Sequence, residues 1–303
     1  RTLTELEKLW LYGAKITDEG LVHLEGLNKL EQLTLSGPNI TDAGMASLKR
    51  LSRLRRLTLT GTGVNGPGFK YLEELRNIES LTLSGANVTD TTLEHVARLS
   101  SFGRSPIPDK WEPYLHLDEN QVTGAGLDKL AQARPELRIY TPYGYRHGDR
   151  WESLDHWYVS LSILEGQTSL RSVDLTIGQP RGKITDEELV HLKGLLQLEE
   201  LSFRSREVTD AALVNLKEMT KLKKLTIHFT PNITGSGLVH LRAMTDLEYL
   251  KLSDTGVTDA GLQHLKCLTN LRTLVLSHTQ VTEEGVKRAQ DALPACGIWG
   301  WRT

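Results

Sequence analysis

The stretch Leu250–Leu271, LKLSDTGVTDAGLQHLKCLTNL, sets the pattern for the whole chain. It opens on an alternating pair, Leu250 and Leu252, which reads as a short strand with one face buried. Val257, Thr258 and Asp259 follow as a marker, and then Leu262, Leu265 and Leu268 recur at every third residue. That spacing predicts a short helix with one apolar stripe. Neither element can bury its apolar face alone, so units of this kind must stack.

Working outward, the marker recurs at Ile16, Ile40, Val64, Val88, Val122, Ile184, Val208, Ile233, Val257 and Val281. The regular spacing is 24 or 25 residues, and the middle of the chain widens to 34 and 62. Alternating pairs precede the markers, as at Leu9 and Leu11, Leu33 and Leu35, and Leu274 and Leu276. Thr17, Thr41, Thr89, Thr185, Thr209 and Thr258 stand where a helix N-cap belongs. The aspartates after them, Asp18, Asp42, Asp90, Asp186, Asp210 and Asp259, place negative charge at the positive end of each helix. Glycines then mark the helix starts at positions 20, 44, 68, 126, 237, 261 and 285, with Ala212 standing in once. Glycine inside a helix costs roughly 1 kcal/mol, so its repetition predicts close approach of neighbouring turns. The ladder breaks at Thr92 and Glu188, on either side of the irregular middle.

Leu-x-x-Leu-x-Leu followed by x-x-Thr-x-Val-Thr-Asp-x-Gly-Leu resembles a leucine-rich repeat. The Thr-Asp-x-Gly-Leu variant is similar to arrays in bacterial repeat proteins, and more distantly to the substrate-binding arrays of F-box proteins. The resemblance covers nearly the whole chain. It implies an α/β fold, a right-handed solenoid (horseshoe) with a parallel inner sheet and outer helices. About a dozen strands spaced about 4.8 Å apart would make a sheet on the order of 55 Å long. The resemblance does not name a ligand, because such repeats bind many unrelated partners. The buried Asn usual after the strand is replaced by Ala14, Pro38, Thr62, Ala86, Thr255 and Thr279, and only Asn120 keeps it. Other groups must therefore satisfy the backbone of that loop.

Three insertions interrupt the pattern: 103–113, 140–156 and 178–182. The stretch from Ala133 to Tyr140 resembles the closing stretch from Leu293 to Trp299, with Leu137 and Ile139 matching Cys296 and Ile298. Two organisations follow. One is a single array over 1–303 with an irregular centre, favoured by the return of Leu161, Leu164, Leu170 and Val173 to register. The other is a tandem pair, 1–141 and 154–303. The chain begins at Arg1 without Met, and Leu3 and Leu6 already read as the tail of a repeat, so it reads as part of a longer one.

Composition narrows the function. With 36 basic and 38 acidic residues, the chain lacks the basic surplus of a nucleic-acid binder. It has no apolar run long enough for a membrane span, and two cysteines do not make a disulfide framework. The compartment is left open, with a lean to the cell interior. Motifs for zinc hydrolysis, phosphate cradling or a serine nucleophile are missing, and no cofactor is implied. Asp118-Glu119-Asn120 begins like a calcium loop, but lacks the glycine at the sixth position and has Lys129 where the closing Glu belongs. His23, His95, His191, His240 and His264 share one repeat position and read as an outer-face consensus rather than a metal ladder. Asn39, Asn87 and Asn232 lie in Asn-x-Thr sequons that arise from the repeat itself.

Strand residues beside the paired leucines should face the inner surface. In the early turns they are bland, as at Thr34, Ser36, Thr58, Thr60, Thr82 and Ser84. In the middle they diversify to His116, Asp118, Arg138, Tyr140, Asp174, Arg204 and His228. Eight aromatic residues fall between 111 and 158, among them Trp111, Tyr143, Tyr145 and Trp151. Tyr, Trp and Arg are enriched at binding hot spots. The expected site is this central zone, serving non-catalytic recognition of a protein or peptide. Alternatives are the substrate-recognition arm of a larger enzyme, such as a ubiquitin-ligase adaptor or bacterial effector, and a small-molecule or catalytic site built on the central inner face.

Overall fold

A computed structural model gives the fold and describes residues 3–85, 87–99, 102, 114–153, 160–176 and 184–301. The insertions 103–113 and 178–182, and with them Trp111, lie outside the described residues. The chain divides into two compact units, residues 1–148 and 149–303.

In the first unit, strands β1 (Lys8–Tyr12), β2 (Gln32–Ser36), β3 (Arg56–Thr60), β4 (Ser80–Ser84), β5 (Tyr114–Asp118) and β6 (Arg138–Thr141) pair in parallel and in chain order. A seventh strand, β7 (Gly144–His147), folds back antiparallel on β6. The second unit holds β8 (Arg150–Ser153), β9 (Ser172–Leu175), β10 (Glu200–Arg204), β11 (Lys224–Thr230), β12 (Tyr249–Thr255), β13 (Thr273–Val275) and β14 (Gly297–Trp299), all parallel. From β2 to β4, both leucines of each alternating pair lie in register with their counterparts in the next turn, and all are buried. The core is therefore a stack of apolar rows rather than one central mass. No helix among the described residues is long and apolar enough to cross a membrane.

Outside the sheet, the expected short helices are mostly 3-10 turns, such as Gly44–Leu48, Glu188–Leu192 and Ser236–Leu241. Three residues per turn eclipse positions i and i+3, which is what leucine at every third residue requires. Among the described residues, true α-helix appears as the single turns α1 (Asp18–Leu21) and α4 (Asp259–Leu262) and as three longer helices: α2 (Asp90–Ala97), α3 (Gly124–Ala133) and α5 (Glu283–Ala292). Helices α3 and α5 are equivalent. Each has ten residues, begins with a threonine side chain (Thr123, Thr282) accepting the third amide, and leads into the last parallel strand of its unit. The sequence likeness between residues 133–140 and 293–299 is thus a shared helix-to-strand turn.

The aspartates do more than face their own helix ends. Asp18 Oδ1 accepts the Thr41 amide at 2.8 Å and Oδ2 the Thr41 hydroxyl at 2.6 Å, in the next turn. The same pair of bonds joins Asp90 to Thr123, Asp186 to Thr209 and Asp259 to Thr282. The clamp aspartates explain most of the glycine ladder, whereas Gly261 packs against the backbone of Gly235 instead. A Cβ on Gly68 would lie 2.7 Å from Asp42 Oδ1, and one on Gly44, Gly126 or Gly285 would fall inside the carboxylate of Asp18, Asp90 or Asp259. Both breaks in the ladder follow a turn that lacks this carboxylate. Thr92 follows a turn with Asn65 and Gly66 at its helix start, and its hydroxyl donates to the Asn65 carbonyl at 2.8 Å. Glu188 accepts the Leu161 amide at 2.6 Å.

The sequon asparagines have a structural role. Asn39, Asn87 and Asn232 donate to the carbonyls of Ala14, Thr62 and Arg206 in the preceding turn, at 2.6–2.9 Å. They supply the loop bonds that the missing buried Asn would otherwise make, helped by the hydroxyls of Thr255 and Thr279, which donate to Leu252 and Leu276.

Candidate functional site

The solvent side of each sheet is built in rows by the parallel register. In the first unit one row runs Lys8, Gln32, Arg56, Ser80, Tyr114, Arg138, and the next Trp10, Thr34, Thr58, Thr82, His116, Tyr140. A third ends at Asp118, beside Ser84. Most of these residues are partly exposed, since alternation sends their neighbours into the core. The far end of this unit gathers several of the expected residues. Tyr140 meets Tyr114 edge-on at 5.9 Å and stacks on Tyr145 at 5.5 Å. His116 lies beside Tyr140, Arg138 beside Tyr114, and Tyr143 occupies the turn between β6 and β7. Arg146 of β7 is fully buried and pairs with Asp128 of α3 at 2.9 Å.

In the second unit the rows are Asp174, Ser202, Thr226, Lys251, Val275, Trp299 and Arg204, His228, Ser253. Asp174 is engaged locally, accepting from the Thr176 amide at 2.8 Å and its hydroxyl at 2.6 Å. His228 lies tilted against Phe229, with ring centres 5.3 Å apart. Burial first, then the charges of Lys251 and Arg204, hold the His228 imidazole below its ordinary value, against the pull of Asp254 and Asp174. His278 Nδ1 lies 3.1 Å from Asp254 Oδ1.

Trp151 does not join either surface. It is only 1% exposed and forms part of the core, so its assignment to a binding set is corrected. Its place in β8, in register with the core residue Val173, accounts for this.

A feature missed in the sequence sits at the strand ends. Gly13, Gly37, Gly61 and Gly85 adopt positive φ there in the early turns. The corresponding later residues are Glu119, Phe229, Asp254 and His278, at φ 46–55°. An L residue in this region is strained, and a bulky one such as Phe is an outlier. Phe229 is nonetheless 50% exposed, so burial offsets only part of that cost. The signal was available: glycine gives way to large or charged residues at one repeat position.

Among the described residues, no three potential metal ligands come together. The shared-position histidines take ordinary partners: His191 lies 2.5 Å from Glu165 and His264 2.9 Å from Arg242. Cys267 is exposed and Cys296 buried; both are free, and burial raises the Cys296 thiol.

Two turns, residues 243–266 and 267–288, match the family described as Leucine Rich repeat. No curated protein matches the sequence. Solved structures similar to this chain include an internalin (inlF) of Listeria monocytogenes, at 22% identity and TM-score 0.43, covering 98% of this chain and 87% of that one. A Leptospira interrogans LRR protein is 16% identical, with TM-score 0.38 and coverage of 98% and 90%. The TLR13–ssRNA13 complex is 18% identical, with TM-score 0.40 and coverage of 98% and 49%. With TM-scores below 0.5, none of the three bears on what this chain binds.

Proposed function

We propose that this chain, a leucine-rich repeat protein, is a non-catalytic module that holds a protein or peptide partner against the solvent faces of its sheets. Proteins of this kind commonly act as binding scaffolds. The observation that carries the reading is the strained rim of the second unit. Phe229, Asp254 and His278 hold left-handed backbone where glycine serves in the first four turns of the first unit. Strain of this kind, of order 1 kcal/mol or more per residue, is kept where the side chain is needed. Together with Arg204, His228 and Lys251 the rim gives a mixed-charge surface with an aromatic centre, the composition of a protein-binding hot spot. A net charge of −2 gives no surplus for a nucleic-acid backbone. In the first unit, His116, Asp118, Arg138, Tyr140, Tyr143 and Tyr145 form a candidate surface of their own. A single array and a tandem pair stay as competing proposals; residues 1–148 expressed alone should fold only under the second.

The test is site-specific photo-crosslinking. A photoreactive residue at position 229 should capture a partner that the unmodified protein competes away, while one at the outward-facing Val190 should not. Equal capture from both positions, or none from 229, would sink the reading.

A further inference from the structure

Two buried side-chain oxygens have no hydrogen-bond partner among the described residues, Ser80 Oγ in the first unit and Ser253 Oγ in the second. A hydroxyl in that state has lost its water with no return, and it calls for an explanation. The two differ in what stands beside them. Ser80 lines a slot with Trp10 and Tyr114, where Arg56, the single charged group among the described residues, is already engaged. Ser253 belongs to the strained rim of the second unit, next to Asp254.

Alternation along β12 sends Leu250 and Leu252 into the core, so Lys251 and Ser253 share the solvent face. Ser253 is in register with His228 of β11. The three therefore stand together, about 5 Å apart across the strands and about 7 Å along them. Lys251 is partly exposed and has neither an ion pair nor a hydrogen bond among the described residues. Its charge acts on His228 instead, where it disfavours the imidazolium. The acids that face His228 leave that charge unmet: Asp254 lies 3.1 Å from His278, and Asp174 is held by Thr176. Phe229, half exposed and tilted against His228, flanks the group with an apolar ring.

We infer that Lys251, His228 and Ser253 take one carboxylate of a peptide partner, with the Phe229 ring against the aliphatic stem that carries it. The inference rests on the proposed recognition function and gives the rim a ligand chemistry. The ammonium supplies the charge, the imidazole at least one N–H in either protonation form, and the hydroxyl one O–H. One unmet positive charge matches a carboxylate better than a phosphate, which carries nearly two negative charges. Ser253 is only 4% exposed, so the carboxylate reaches it when a neighbouring side chain changes rotamer, a common adjustment at interfaces.

Ser253→Ala removes an oxygen that has no partner, so the free protein should melt no lower than the unmodified chain. Peptide binding should weaken about tenfold, the effect of one lost hydrogen bond to a charged group. Lys251→Gln should weaken it at least as much and flatten its dependence on salt. The experiment screens an array of 12-residue peptides against the whole chain, against these two variants, and against Val190→Ser on the outer side as a control. Selected peptides are then compared with Glu→Gln and Asp→Asn replacements, and with free and amidated C-termini. Loss on Glu→Gln or Asp→Asn assigns a side-chain carboxylate and loss on amidation a terminal one; either supports the inference. Peptides that bind equally well to Lys251→Gln or to Ser253→Ala overturn it and leave peptide recognition standing. Binding that needs a phosphorylated peptide, or a Ser253→Ala chain that melts lower, also overturns it. If no peptide is retained, the carboxylate assignment falls whatever the crosslink at position 229 shows, and the recognition reading falls only if that crosslink fails as well.

Discussion

The inter-turn clamp predicts an energetic coupling whose sign can be worked out in advance. Consider Asp259 and Gly285, which meet across the last two turns of the second unit. Asp259 accepts two bonds from Thr282, at 2.8 and 2.6 Å, and its carboxylate is partly exposed. Water can therefore take over part of the bonding when Asp259→Ala is made, and the cost should be about 1–2 kcal/mol. Gly285→Ala alone puts a methyl group inside the carboxylate of Asp259, an overpacking that should cost about 1–3 kcal/mol. With the carboxylate already gone, the same change gains alanine's helix propensity, worth about 1 kcal/mol. Gly285→Ala should then stabilise rather than destabilise, and the coupling between the two sites should reach about 2–4 kcal/mol. Repeat arrays need not unfold in one step. The suitable assay is native-state amide exchange within α5, where the Val286 amide donates to Thr282 at 3.0 Å, beside urea titration of the whole chain. Costs that add to within about 0.5 kcal/mol would refute the clamp as the reason for the glycine.

Acid should act on the same carboxylates. Hydrogen bonds from Thr282 and the charge of Arg288 hold Asp259 below its ordinary 3.8; for Asp210 burial opposes, but bonds from Thr234, Ser236 and the Gly237 amide prevail. Their stabilisation is present above pH 3.8 and is lost as pH falls below it, so acid-induced melting should be shallower in Asp259→Asn; an unchanged profile would argue against it. Phe229→Gly should raise stability by about 1 kcal/mol in urea, by releasing left-handed strain, while reducing crosslinked-partner affinity. Asp128→Ala leaves Arg146 buried without that carboxylate and should cost about 3–5 kcal/mol; a loss under 1 kcal/mol would show that the pair is dispensable. Trp151→Ala should cost about 3–5 kcal/mol as a core truncation, with a lowered urea midpoint rather than a binding defect as its main effect.

The repeat, its strands and their order were legible because period and alternation are local properties of the chain. The glycine ladder was legible as a pattern but not as a mechanism. Its cause lies one turn away, in an aspartate that local reading assigns to its own helix. Spacing of three also misled slightly, since it suits a 3-10 turn better than an α-helix. The site was harder. Trp151 carries the same hot-spot chemistry as an exposed tryptophan, and only the register of β8 shows that it is core. Lys251 and Ser253 looked uninformative because each is common alone; register sets them beside His228, and the unpaired Ser253 hydroxyl is visible only in three dimensions.

The clamp also limits how such an array can change. A turn that carries the aspartate dictates what its successor must have three residues past the threonine: glycine, or at most alanine as in Ala212. A turn without it tolerates Thr92. Turns are therefore not interchangeable tiles but pieces with matched tongue and groove, readable from sequence. Duplication of a whole Asp–Gly turn preserves every joint, whereas a crossover that sets Thr92's turn behind an aspartate creates a clash. Recombination within this chain would be filtered by that rule before any partner is met.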